Sequence, residues 1–215
     1  MNYSEMDDKY SEMDDQIFKF VYVSAMRDAT LRGAYSGKKA WMRNCEKFSN
    51  STPMLKAFVR DVIEGEFKDS DSYDERFLKV SIKLCEDINS HAQKEGGGCF
   101  TFGNAQKLIN ILMKYFYLHS FGNEKEKDNF KFCHCPMDKQ LLENVWNHRT
   151  ELTEDIGNRT DFLSSWGNEV FSKNGEEKEF PGRYKTFQKA IKKLAKGKSS
   201  LEYDYSVWGN AGTDS

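Results

Sequence analysis

From Phe102 to Leu118 the chain reads Phe-Gly-Asn-Ala-Gln-Lys-Leu-Ile-Asn-Ile-Leu-Met-Lys-Tyr-Phe-Tyr-Leu. Apolar side chains fall on nearly every side of a 3.6-residue period, so the stretch predicts a long buried helix entered through a glycine turn. A helix of that kind has to be enclosed by other elements, which makes it the core around which the rest must pack. Lys107, Asn110 and Lys114 are three and four residues apart and share one face. A polar stripe on an otherwise apolar cylinder faces either solvent or a cleft, and the functional reading depends on which surface Lys107 meets.

With 215 residues the chain is one large domain or two small lobes. It has only three prolines and repeated 3.6-residue patterns, with no long strand-period alternation, so the expected fold class is all-α. No apolar run reaches membrane-spanning length, and the acidic N-terminus has the wrong chemistry for a signal peptide. The expectation is a soluble intracellular protein, cytoplasmic or nucleoid-associated, with no membrane partner. Cys45, Cys85, Cys99, Cys133 and Cys135 have no regular spacing and point to reduced thiols.

The formal net charge is −2, but its distribution is uneven. Residues 1–16 contain the direct repeat Tyr3-Ser4-Glu5-Met6-Asp7-Asp8-Lys9 and Tyr10-Ser11-Glu12-Met13-Asp14-Asp15-Gln16. One repeated heptad is too short for a coiled coil, so 1–16 is expected to be an acidic, flexible arm; the alternative is a segment that mimics nucleic-acid charge or contacts a basic partner. Residues 17–215 are expected to form a single helical domain with two lobes and a central helix-turn-helix around 96–148, and to act as a monomer. Between 181 and 200 there are seven Lys or Arg and no acid.

Helices are expected from Ile17 to about Arg32, from Gly37 or Lys38 to Phe48, from the Ser51-Thr52-Pro53 start onward, and from about Asp74 to Ala92. Residues 66–74 are expected to be a polar loop, and Gly96-Gly97-Gly98 a connector or a tight turn near phosphate. A charged loop covers 123–131. Pro136-Met137-Asp138 is expected to begin the next helix, with Pro136 at its first position and Asp138 as an acid in its first turn. Beyond a loop at 149–160, a helix is expected from Asp161 to Ser172, then a loop at 173–182. Tyr184, Phe187, Ile191 and Leu194 mark the buried face of a basic amphipathic helix whose other faces carry Lys185, Lys189, Lys192, Lys193 and Lys196.

Two groups of residues bear on chemistry. Cys133-His134-Cys135 holds metal-ligand types, but three successive residues do not readily converge on one ion, so neither metal nor cofactor is expected. Lys107 and Asp138 form the second group. A lysine on a buried helix becomes nucleophilic once neutral, and a carboxylate at the start of the following helix accepts a proton or stabilises a developing cation.

Gly103-Asn104-Ala105-Gln106-Lys107 followed by an apolar helix, and then Pro136-Met137-Asp138, resembles the core of the helix-hairpin-helix DNA glycosylase superfamily. The Gln106-Lys107 pair leading to Lys114-Tyr115-Phe116-Tyr117 is most similar to the archaeal 8-oxoguanine DNA glycosylase branch. The C-terminal Asp204-Tyr205-Ser206-Val207-Trp208 resembles that branch's final Asp-x-x-x-Trp. The chain departs from the superfamily in having Ala105 where the hairpin usually has a second glycine, and Ile111 where the branch has an aromatic residue.

The resemblance implies two helical lobes flanking a cleft and a DNA repair glycosylase with AP lyase activity. Double-stranded DNA carrying an oxidised purine such as 8-oxoguanine is the implied partner. Lys107 and Asp138 would be catalytic, and Asp204, Trp208, Gln106 and Asn110 would bind the flipped base. Gly103 and Lys185, Lys189, Lys192 and Lys193 would hold the DNA backbone. The alternative is a helical DNA-binding or protein-interaction module that keeps the scaffold and lacks catalysis.

Overall fold

The computed structural model describes residues 3–30, 51–92, 99–120, 124–153, 155–175 and 177–210. The expected helix between Gly37 and Phe48, the triglycine at 96–98 and Cys45 lie outside these residues. The described chain is all-α apart from one short hairpin. Its helices are α1 (Tyr3–Thr30), α2 (Ser51–Glu64), α3 (Ser70–Ala92), α4 (Phe102–His119), α5 (Glu124–Asp128), α6 (Lys139–Asn147), α7 (Arg159–Phe162), α8 (Gly182–Leu194) and α9 (Ser200–Asn210). Strands β1 (Ser172–Asn174) and β2 (Glu177–Glu179) pair antiparallel, with Lys173 opposite Lys178.

The ends of these helices follow from local chemistry. The Thr101 hydroxyl accepts from the Asn104 amide while the Asn104 side chain bonds back to the Thr101 amide, a capping box that starts α4. Ser199 and Glu202 make the same exchange at the start of α9. At the end of α2, Gly65 takes φ +75°; its N–H reaches the Val62 carbonyl and that of Glu66 reaches the Asp61 carbonyl, closing the last turn.

Helix α4 is central. Phe102, Ala105, Leu108, Ile109, Ile111, Leu112, Met113 and Tyr117 are all buried along it. Its longest contact is with α1, where Phe18 stacks on Phe116 with ring centroids 6.4 Å apart and the Tyr115 hydroxyl donates to Asp28. Helix α3 packs on another side of α4, and α6, α8 and α9 pack on one another. Buried side chains form one continuous cluster from Phe18 to Leu201.

Several boundaries differ from the sequence expectation. Helix α1 begins at Tyr3, so the backbone of the acidic repeat is helical; no Gly or Pro interrupts 3–16, and Lys56 of α2 pairs with Asp15. Helix α3 begins at Ser70 because the Asp69 carboxylate accepts from the Ser72 amide at 2.8 Å, which turns part of the expected loop into a cap. Asp138 lies one residue before α6 as its N-cap, outside the first turn expected for it.

The expected helix from Asp161 to Ser172 does not form. Helix α7 stops at Phe162, a 3₁₀ turn covers Trp166–Asn168, and β1 follows. The reason is tertiary. The guanidinium of Arg183 donates to the carbonyls of Asp161, Phe162, Ser164 and Ser165 at 2.8–3.3 Å, so this segment meets its hydrogen-bonding needs without a continuing helix.

Candidate pocket and lysine site

The start of α4 and the 3₁₀ turn at Trp166–Asn168 are fitted together. Gly103 donates its N–H to the Glu169 carbonyl at 3.0 Å, and the Thr101 hydroxyl donates to the Gly167 carbonyl at 2.7 Å. A Cβ on Gly103 would stand 1.8 Å from the Trp166 carbonyl oxygen, so only glycine permits this approach. Gly103 is therefore spent on the protein's own backbone and offers no free N–H to a phosphate. Beyond the turn, Glu169 and Arg183 pair at 2.6 Å with each side chain 14% exposed. Burial raises the Glu169 carboxyl above its usual range, with Arg183 opposing it.

This scaffold presents the Trp166 indole to Lys107, whose Nζ lies 4.3 Å from the ring centroid. Trp166 also lines a pocket of about 280 Å³, together with Leu163, Ser164 and Ser165 on its own segment and Lys139, Leu142 and Glu143 on α6. Lys107 and Asp138 do not line this pocket; Lys107 meets it only through Trp166.

Asp138 reaches the same junction from the other side. The Gln106 amide brackets the Met137 peptide: its Oε1 accepts from the Met137 N–H at 3.0 Å and its Nε2 donates to the Met137 carbonyl at 3.1 Å. Lys107 and Asp138 are the next residues along each chain segment, and the Gln106–Met137 contact holds those two segments together. Asp138 is 8% exposed, and its Oδ1 accepts from the Leu141 amide at 3.0 Å.

Gln106 and Asn110, expected to bind a base, are both fully buried. Asn110 Nδ2 lies 3.1–3.3 Å from the Gln106 side-chain oxygen, the Cys135 carbonyl and the Tyr184 hydroxyl. Gln188 of α8 brackets Cys135 as Gln106 brackets Met137, accepting from its N–H at 3.1 Å and donating to its carbonyl at 2.7 Å. Two glutamines thus hold the non-helical backbone before α6 much as a neighbouring strand would.

Cys133-His134-Cys135 belongs to the core. His134 Nε2 is 2.8 Å from Asp74 Oδ1 and its Nδ1 is 3.0 Å from the Tyr184 hydroxyl. Burial pushes the Cys133 thiol up to about 12 and raises that of Cys135 as well. No group of three metal-ligating side chains occurs among the described residues.

At the other end of α4 lies a second lysine site. Lys114 Nζ is 2.6 Å from Asp204 Oδ2, 4.8 Å from the Tyr205 ring and 5.6 Å from the Trp208 ring. Asp204 is fully buried. Its pKa is pushed up to about 6 by burial and by the charge of Asp138, while Lys114 pulls it down. The Lys114 contact is close but lies outside hydrogen-bond direction, so neither Asp204 oxygen has an aligned donor. Asp204 is therefore engaged by Lys114, whereas Trp208 is 44% exposed.

On α8, Tyr184, Phe187, Ile191 and Leu194 are buried, and Lys185, Lys189, Lys192 and Lys193 all lie on the exposed side. Lys185 pairs with Glu179 at 3.1 Å. Sequence reading missed Trp166, Arg183 and Gln188, whose partners are remote in the chain. No helix among the described residues is long and apolar enough to cross a membrane. No protein-family model, no curated protein and no solved structure matches this chain.

Proposed function

We propose that the chain is a DNA repair glycosylase with AP lyase activity on an oxidised purine such as 8-oxoguanine, built on a helix-hairpin-helix glycosylase-like scaffold whose two helical lobes flank a cleft. The observation that carries this is the Gln106–Met137 pairing, which holds together the two segments that bear Lys107 and Asp138, with Lys107 on the indole of Trp166, a residue that lines a pocket. A nucleophilic amine and a carboxylate at one cleft are what base displacement from a deoxyribose requires.

Duplex DNA gives up the damaged nucleotide to the protein by base flipping. The neutral amine of Lys107 attacks the sugar C1′. A C–N bond forms as the glycosidic bond breaks, and the base leaves with a proton. Asp138 stabilises the positive charge that develops on the sugar, accepts the proton lost by the amine and passes it to the departing base. Ring opening gives a Schiff base between Lys107 and C1′, and loss of a C2′ proton expels the 3′ phosphate. Trp208, half-exposed beside Asp204, supplies a stacking surface for the base. Lys189, Lys192 and Lys193 on the outer face of α8 supply sequence-independent phosphate attraction, which weakens as salt rises.

Borohydride reduction in the presence of DNA carrying 8-oxoguanine or an abasic site tests the proposal. A covalent adduct that is lost in Lys107→Met is the expected result. The second reading, a DNA-binding module without catalysis, is favoured by the commitment of Gly103 to Glu169 and of Asp204 to Lys114. Salt-sensitive DNA binding with no adduct on any lesion would decide for the second reading.

A further inference from the structure

The turn that carries Trp166 is more firmly built than a surface loop needs. Three contacts join it to the first turn of α4: Gly103 N–H to the Glu169 carbonyl, the Thr101 hydroxyl to the Gly167 carbonyl, and the bare Cα of Gly103 against the Trp166 carbonyl. A fourth, the part-buried Glu169–Arg183 pair, ties the same turn to α8. All of this converges on one side chain whose indole does two things. It lines the pocket, and it lies 4.3 Å from the Lys107 ammonium.

We propose that Trp166 is the positioning residue of Lys107, its indole seating the amine at the wall of the pocket. This rests on the reading of Lys107 as the nucleophile. A lysine has four rotatable side-chain bonds, and a free one samples many positions that do not reach a substrate. An aromatic face attracts the ammonium electrostatically and limits where it rests. Such a face also favours the protonated amine over the neutral one. The charged groups on the surrounding elements are Asp138, Lys139 and Glu143 at the start of α6, and Glu169 with Arg183 behind the turn. Comparing Trp166→Leu with Trp166→Phe isolates the aromatic face, because every other group around Lys107 is common to both variants.

Two measurements on the full chain separate this proposal from the enzymatic one. The first needs no DNA. Labelling with acetic anhydride across pH 7 to 11, followed by mass spectrometry of the Lys107 peptide, gives the midpoint at which the amine becomes reactive. Trp166→Leu is expected to lower that midpoint by about half a pH unit, the size of a surface cation–π contact. Trp166→Phe, which keeps an aromatic face, is expected to restore most of the difference. An unchanged midpoint in W166L with native circular dichroism overturns the proposal. Should W166L fail to fold, Trp166→Met, closer in bulk and without an aromatic face, takes its place under the same criteria.

The second measurement is borohydride trapping on abasic-site DNA as a function of pH. In the leucine or methionine variant the acid limb is expected to move to lower pH, and the plateau to fall about tenfold because the amine is no longer held in place. Trapping with both features unchanged counts against Trp166 while leaving the glycosylase intact. Absence of trapping in wild type defeats the glycosylase reading, and the labelling midpoint then still decides whether Trp166 seats Lys107.

Discussion

Lys107 and Lys114 lie two turns apart on the same helix, yet they meet opposite surroundings. The first rests on the indole of Trp166 beside a pocket. The second faces a carboxylate with no solvent exposure, between two further aromatic rings. An ammonium neutralising a buried carboxylate is part of the structure, because its removal would strand the partner's charge away from water. One polar stripe on one helix thus meets an aromatic ring at one position and a buried carboxylate at another.

The sharpest way to break that contrast is to remove each amine in turn. Lys114→Met leaves Asp204 without its counter-ion and is expected to cost about 3 kcal/mol in urea unfolding at pH 7.5. The loss should shrink near pH 5, where Asp204 binds a proton. Equal stability of K114M and wild type at both pH values would show that the pair is not structural.

The pH dependence of the wild type sharpens the same point. Asp204 has a folded-state pKa raised to about 6 from 3.8, so the folded chain binds this proton more tightly than the unfolded chain. The resulting stability is fully present below pH 3.8 and is lost as pH rises through about 6. Relative to Asp204→Asn, wild type should lose about 2–3 kcal/mol between pH 4 and pH 7.5, an effect that the difference between their thermal unfolding curves would expose. A difference independent of pH would place Asp204 among ordinary carboxylates.

Gly103→Ala comes next. Helix propensity alone favours alanine by about 1 kcal/mol. The collision of its Cβ with the Trp166 carbonyl reverses the sign, and a net loss of about 2 kcal/mol is expected in chemical denaturation. Neutral or stabilising behaviour would mean that the turn at 166–168 yields easily. The smallest effect on stability belongs to Lys107→Met, expected to change unfolding by less than about 1 kcal/mol while abolishing borohydride trapping.

The helical class and the centrality of Phe102–Leu118 were legible because a period of 3.6 residues needs no distant partner to be recognised. The buried face of α8 was legible for the same reason, since Tyr184, Phe187, Ile191 and Leu194 all turn inward. The 161–172 region was not. Its local pattern suits a helix, and what redirects it is Arg183, about twenty residues further on. Within the site, a glycine before Lys107 was visible, but its use was not: the sequence suggested a hairpin around phosphate, and the structure spends Gly103 on the carbonyls of Trp166 and Glu169. Gln106 and Asn110 looked like polar groups facing a cleft. The Gln106 amide and the Asn110 Nδ2 are taken up by Met137, Cys135 and Tyr184, backbone and side-chain groups that no spacing rule connects to α4.

Arg183 gathers the carbonyls of four residues from 161 to 165 and also pairs with Glu169. One side chain on α8 therefore keeps an entire non-helical segment in shape, and that segment has few regular backbone bonds of its own. The segment and the first turn of α8 should open and close as one cooperative unit. Native-state hydrogen exchange should show the amides of Phe162, Leu163 and Lys185, each bonded to a backbone carbonyl, sharing one opening free energy. During folding, this wall of the pocket cannot settle until α8 has docked, so it forms late, after the helical core on which it rests.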